Sequence, residues 1–182
     1  ALKEIPFNLV ITSPLKRARE TGELTVAASE KNFGHKIPII EDRRIMEFNW
    51  GCWEGLGCLE NNFEVPDPNY NIFYTDAFHY QGSPDGESVA DVMERTADFF
   101  NELIANPDYQ DKTILIATHG CALRAMLNPL YENRDSFWQE HVPYNCAVTI
   151  IDVQNGQAKI TAKDKIYYDK SLCFDHYKVI DK

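Results

Sequence analysis

The chain has 182 residues, 44% hydrophobic and 25% charged, which is the composition of one folded domain with a sizeable core and excludes a disordered segment. Lys and Arg number 18 against 28 Asp and Glu, a formal net charge of −10. That excludes a broad basic face, and with it a general nucleic-acid binder, while leaving room for one positive pocket inside an acidic shell.

The five cysteines include no C-x-x-C pair, and Cys52 and Cys58 stand too far apart for the common zinc spacing. Free thiols in a reducing, cytoplasmic compartment are the expectation, with no metal and no cofactor. No apolar run is long enough to cross a membrane. The chain opens Ala-Leu-Lys-Glu, with neither an initiator Met nor a signal-peptide pattern, which fits a processed protein or a fragment.

Phe7, Leu9, Val10 and Ile11 form a short apolar run that reads as a strand buried on both faces. Thr12-Ser13-Pro14 ends it. Ser13 suits the N-cap of a following helix and Pro14 its first position. Leu15, Ala18 and Gly22 would face inward, and Gly34 would close the helix in the left-handed conformation. Residues 56–85, rich in Asn, Pro, Asp and aromatics, read as an insertion within the domain. Ser88 caps a second helix, in which Val89, Val92, Met93, Thr96, Phe99, Phe100, Leu103 and Ile104 follow helical spacing. Residues 113–117 form a β-branched strand, Thr118-His119-Gly120 turns the corner, and residues 121–130 form a helix with Leu123, Met126, Leu127 and Leu130 on its apolar stripe. Residues 146–153 and 158–162 pair through a type I′ turn at Asn155-Gly156. The pattern predicts a single α/β domain over residues 1–182, with a mostly parallel sheet and one antiparallel strand.

In such sheets ligands bind beyond the carboxyl ends of the strands. Two of those ends carry polar residues at a helix start: Thr12-Ser13-Pro14-Leu15-Lys16-Arg17, and Thr118-His119-Gly120. Backbone N–H groups pointing outward there make an anion site. Arg17, in the first helical turn, is disfavoured by the helix dipole unless an anion is present, and a fixed guanidinium suits bidentate phosphate binding. The plainer readings are a solvated basic cluster of Lys16, Arg17 and Arg19, a turn histidine satisfied by backbone, and a surface acid at Glu47. No P-loop, no H-E-x-x-H and no Cys-x5-Arg loop is present. Gly86-Glu87-Ser88-Val89-Ala90 follows a turn and not a strand, which argues against a nucleophile elbow.

Four segments in this order, ITSPLKRARET (11–21), EFNWGCWEG (47–55), PDGES (84–88) and TILIATHGCALRAML (113–127), together with PYNCAVTIIDV (143–153), resemble the histidine phosphatase superfamily, the phosphoglycerate mutase-like proteins. The resemblance spans nearly the whole chain. It implies a three-layer α/β/α sandwich and phosphoryl transfer through a phosphohistidine. Arg17, His119 and the Gly120 N–H would then hold the transferred phosphate, and Glu47 would be the general acid, with a raised pKa. Cys121 stands where the family often has Gly and reads as a small packing residue near the site.

The same resemblance implies an acceptor histidine in an Arg-His-Gly segment after a first strand, and no such segment is present. His35, His79, His141 and His176 match nothing catalytic. The chain is therefore expected to be front-truncated, to expose apolar sheet edges, and to be inactive as it stands. The alternative is a non-catalytic phosphate-binding module. From Gly55 to Met93 there is no Lys or Arg, while Glu60, Glu64, Asp67, Asp76 and Asp85 alternate with aromatics that include Phe73, Tyr74 and Tyr80. Such a lid favours hydrolysis of a small phosphate monoester with an apolar remainder over mutase chemistry, which must hold a second anionic group. The plainer reading is that these aromatics pack the insertion against the core. A homodimer is compatible with the sequence.

Overall fold

Two strand–turn–helix units carry the architecture, and the computed structural model describes residues 1–59 and 62–173 of the chain. Glu60 and His176 lie outside the described residues. Strand β1 (Leu9–Thr12) has Val10, Ile11 and Thr12 buried, as an apolar run closed by a polar turn requires. Helix α1 (Lys16–Phe33) packs Ala18, Gly22 and Val26 inward. At Gly22 a Cβ would meet Val10 Cγ1 at 3.2 Å, so glycine brings the helix down onto the strand. Gly34 ends α1 at φ 73°, its N–H donating to the Glu30 carbonyl.

The expected start of α1 is corrected. Its N-cap is Leu15, extended at φ −66° and ψ 128°, and not Ser13. Ser13 Oγ accepts from the Leu15 N–H at 3.3 Å, ahead of the helix, and also lies in hydrogen-bond reach of a side chain 106 positions away.

Strand β2 (Ile39–Glu41), which the sequence pattern did not reveal, lies parallel to β1 with Val10 opposite Ile39. A minor antiparallel pair, β3 (Cys58–Leu59) and β4 (Asn62–Phe63), and a single helical turn, α2 (Ile72–Thr75), lie in the insertion. Helix α3 (Val89–Ala105) begins with a capping box in which Ser88 and Asp91 satisfy each other's backbone N–H. Strand β5 (Ile114–Ala117) lies parallel to β1 with Thr12 opposite Ala117, giving the order β2-β1-β5. Helix α4 (Gly120–Leu127) follows and runs into a 3-10 turn at Asn128–Leu130.

The faces of this sheet are covered differently. Val10 packs with Phe7, Val26 and Ile37 on the α1 side. Ile11 packs with Phe99, Phe100, Met126 and Leu127 on the α3 and α4 side. These are the three layers expected. A third cluster joins the insertion to α3 and α4 through Phe48, Phe73, Tyr80, Val89, Val92 and Ala125.

Strands β6 (Val148–Gln154) and β7 (Gln157–Lys165) form an antiparallel hairpin whose turn has Asn155 and Gly156 at φ 53° and 73°, as type I′ demands. The antiparallel element expected beside the mostly parallel sheet is this hairpin. Among the described residues the hairpin is a separate sheet of two, unpaired with β5. An open groove of about 1990 Å³ separates them, lined by Ile114 and Ile116 of β5, Ile151 of β6, and Leu103 and Ile104 of α3. Strand edges and apolar side chains of β5 and β6 face each other across this groove. Among the described residues no helix is long and apolar enough to cross a membrane.

Candidate active site

The carboxyl ends of β1 and β5 lie side by side, because Thr12 pairs with Ala117 and the Ser13 N–H donates to the Ala117 carbonyl at 2.9 Å. The two turns named from sequence therefore meet. Arg17 Nε donates to His119 Nδ1 at 3.2 Å, and His119 Nε2 lies 2.8 Å from Ser13 Oγ. Because a guanidinium only donates, Nδ1 must be the acceptor and the ring proton sits on Nε2. The His119 pKa falls from 6.5 to about 4, first through burial and then through the cations Arg17 and Arg95. The imidazole is thus neutral at pH 7. Arg17 itself is exposed, a cation at the positive end of an 18-residue helix with no acid in its first turn.

Glu47 reaches the start of α4 from the irregular segment after β2. Its Oε1 accepts from the N–H groups of Phe48 at 3.0 Å and Ala122 at 3.2 Å, and its Oε2 from Cys121 at 3.4 Å. Burial pushes its pKa up against the pull of those three N–H groups and of Arg17, and the net shift is upward. Desolvation outweighs hydrogen bonding here, so Glu47 is a carboxylic acid with an elevated proton affinity, near enough to Arg17 for that cation to act on it. Gly120 leaves space in the same place, since a Cβ there would meet Val142 at 3.4 Å and Glu47 Oε2 at 3.9 Å.

Arg17, Glu47, His119 and Gly120 all line the wide groove. Phe73 and Tyr74 line it as well, but Tyr80 does not. Phe73 is 4% and Tyr80 3% exposed, both inside the aromatic cluster with Phe48 and Trp50. Burial raises the Tyr80 pKa to about 12. Tyr80 and most of Phe73 are packed into the core, while the half-buried Trp50, Trp53 and Tyr74 face the groove. Cys121 is 3% exposed, and burial together with Glu47 drives its thiol pKa well above the ordinary value. It is a protonated packing residue.

Two residues at the site were missed from sequence. Ser13 read as a helix cap, and nothing local distinguished the two roles. Arg95 of α3 donates to the Glu47 carbonyl at 3.1 Å. Its only sequence signal was a cation eight positions after Glu87 in the unexplained PDGES segment. The remaining described histidines are placed elsewhere: His79 pairs with Asp76, His141 faces Asp164, and His35 lies against Phe33. Among the described residues no cluster of three or more His, Cys, Asp or Glu is arranged to hold a metal ion.

The family model described as the histidine phosphatase superfamily (branch 1) matches residues 1–165. A 2,3-bisphosphoglycerate-dependent phosphoglycerate mutase of Hydrogenobaculum sp. (strain Y04AAS1) is 26% identical over 185 residues, covering 88% of this chain and 73% of that enzyme. An uncharacterized phosphatase, PhoE, of Bacillus subtilis (strain 168) is 28% identical over 129 residues, covering 71% of this chain and 56% of that protein. Among solved structures, YhfR of Bacillus stearothermophilus superposes with a TM-score of 0.75 at 26% identity, covering 91% of this chain and 77% of that one. The chain spans only 55% to 59% of the length of several other curated relatives.

Proposed function

Because the chain belongs to the histidine phosphatase superfamily, we propose that the full-length protein hydrolyses small phosphate monoesters through a phosphohistidine. The observation that carries the reading is the convergence of Arg17, His119 and Glu47 at adjoining strand ends. Phosphoryl transfer asks for positioning and for charge stabilisation on the equatorial oxygens. Arg17, the His119 ring and the Gly120 N–H supply donors for those oxygens. The raised proton affinity of Glu47 supplies an acid for the departing oxygen. In the first step the ester P–O bond breaks, a P–N bond forms on the acceptor histidine, and the Glu47 proton goes to the alcohol. In the second, water attacks phosphorus, Glu47 takes its proton, and the P–N bond breaks to release phosphate.

Among the described residues His35, His79 and His141 are engaged away from the site, so none of them is proposed as the acceptor. The groove between β5 and β6 opens beside Arg17 and His119.

Mutase chemistry is favoured by the curated relatives, several of which, the Hydrogenobaculum protein among them, are named phosphoglycerate mutases. Against it stands the lid, in which no Lys or Arg occurs from Gly55 to Met93. The partner is accordingly a monoester with an apolar remainder seated toward Trp50, Trp53 and Tyr74.

The test is a comparison of the full-length protein on simple phosphate monoesters and on phosphoglycerates, with trapping of acid-labile phosphate on histidine. Hydrolysis with a trapped phosphohistidine is expected, abolished by His119→Ala and weakened in phosphate affinity by Arg17→Ala. Faster phosphoglycerate interconversion than hydrolysis would assign a mutase. Phosphate binding without turnover would assign a non-catalytic module.

A further inference from the structure

The PDGES segment and Arg95 take no part in the reaction as written, yet they hold its acid. Every guanidinium N–H of Arg95 is engaged. Nε and Nη2 fork onto the Glu87 carboxylate at 2.6 and 3.0 Å. Nη1 donates to the carbonyls of Arg44 at 2.6 Å and Met46 at 2.8 Å, and Nη2 donates to the Glu47 carbonyl at 3.1 Å. The other half of the grip comes from Glu87. Its Oε2 accepts from the Asn49 N–H, and its own N–H donates to the Asn49 carbonyl, each at 2.9 Å. Gly82, at φ +70°, runs so close beneath that a Cβ would meet the Glu87 carbonyl oxygen.

The segment gripped in this way, residues 46–50, has no helix or strand of its own. A carboxyl carried on such a segment keeps its place only if something fixes the backbone beneath it. Displacement by about 1 Å is enough to cost roughly a hundredfold in rate. Arginine suits the task because its planar fork serves five acceptors at fixed angles, which the compact ammonium of lysine cannot do.

We propose that Arg95, forked onto Glu87, is the positioning residue that fixes the Glu47 carboxyl over the phosphate site, and that this is what the PDGES segment contributes to catalysis. The inference rests on the reading of Glu47 as proton donor. A merely structural role would lower every activity alike. Positioning of an acid lowers only the turnover of esters that need the proton.

The experiment uses the full-length protein with Arg95→Lys, which keeps the charge and removes the fork, beside Glu87→Gln and Glu47→Gln. Two substrates are compared: 4-nitrophenyl phosphate, whose phenolate leaves without much help, and glycerol 2-phosphate, whose alkoxide needs a proton. Glu47→Gln is expected to lower kcat on the alkyl ester about a hundredfold. Arg95→Lys and Glu87→Gln are expected to lower it about tenfold or more, with KM and nitrophenyl turnover within about twofold of the parent. Equal losses on both substrates in a folded variant, or no loss on either, would overturn the proposal. Should Arg95→Lys not fold by circular dichroism, Glu87→Gln carries the same test.

Should the parent turn over neither ester, the reading of the site as a phosphatase fails, and a ¹³C titration of the Glu47 carboxyl decides the present point separately. The elevated value in the parent falls toward that of an ordinary glutamate in Arg95→Lys if the clamp positions the carboxyl. An unchanged value refutes it.

Discussion

His119 is expected to be neutral at pH 7, with its proton on Nε2, and to titrate far below an ordinary histidine. The fall is from 6.5 to about 4. At about 1.36 kcal/mol per unit it corresponds to an upper figure of about 3 kcal/mol. The sign follows from which state holds the proton. Between pH 4 and 6.5 the unfolded chain binds a proton that the folded one does not, so stability rises with pH through that window. The contribution is present in full above about 6.5 and is lost as pH falls toward 4. Burial is the leading cause, so Arg17→Met, which removes the nearer cation and the 3.2 Å hydrogen bond to Nδ1, should recover only part of the shift. Long-range ¹H–¹⁵N NMR of the imidazole reads both the tautomer and the titration, and urea unfolding at pH 5 and pH 7 reads the stability. Inorganic phosphate should raise the titration point, because a bound dianion favours imidazolium. A midpoint near 6.5 in the free protein, or a proton on Nδ1, would refute the reasoning.

Two further outcomes follow from the packing. Arg124 is 0% exposed, and its Nη2 and Nη1 donate to Asp164 at 2.6 and 3.3 Å while Nε has no partner among the described residues; Asp164→Ala should therefore cost about 3–5 kcal/mol, or about 2–4 °C in Tm for each kcal/mol in a chain of this size. Replacing both partners with apolar residues, Arg124→Met with Asp164→Leu, should restore most of that loss, and a single-variant loss under about 1 kcal/mol would contradict a desolvated pair. Gly82→Ala combines a disfavoured φ of +70° with a Cβ driven into the Glu87 carbonyl, so it should destabilise by more than about 1 kcal/mol, and a neutral melting temperature would show that the turn yields.

The units that position the site were legible because their signals are local. An apolar run closed by Thr12-Ser13-Pro14 and another closed by Thr118-His119-Gly120 each announce a strand end, and the parallel pairing of β1 with β5 does the rest. Strand β2 was not legible. It is three residues long and exposed at every position, so its pairing with β1 leaves no period in the sequence. The start of α1 was misread because the Ser13 hydroxyl accepts from the Leu15 N–H ahead of the helix and also lies within reach of His119. Arg95 was invisible for a different reason: three of its acceptors are backbone carbonyls, which carry no residue-type signature. Lid composition revealed the aromatics but not their depth. Phe137 and Trp138, from beyond α4, pack onto Phe78 and Phe73, so which rings become core is settled by a distant segment.

The site without ligand is satisfied at modest strength, and that weakness bears on what it selects. The chain Arg17–His119–Ser13 consists of one bond from an exposed guanidinium and one between a neutral ring and a hydroxyl. Giving up the first forfeits on the order of 1 kcal/mol. A phosphate dianion at the same place would accept charge-assisted bonds worth roughly 1.5–3 kcal/mol each and would relieve a cation stranded at the positive end of α1. It would also raise the proton affinity of His119 and convert a neutral acceptor into a second cationic donor. A neutral ligand offers none of these gains and still has to break the Arg17–His119 contact. On the proposed function the arrangement would discriminate by charge before it discriminates by shape, with the aromatic wall at Trp50 and Tyr74 acting on ligands that have already satisfied Arg17.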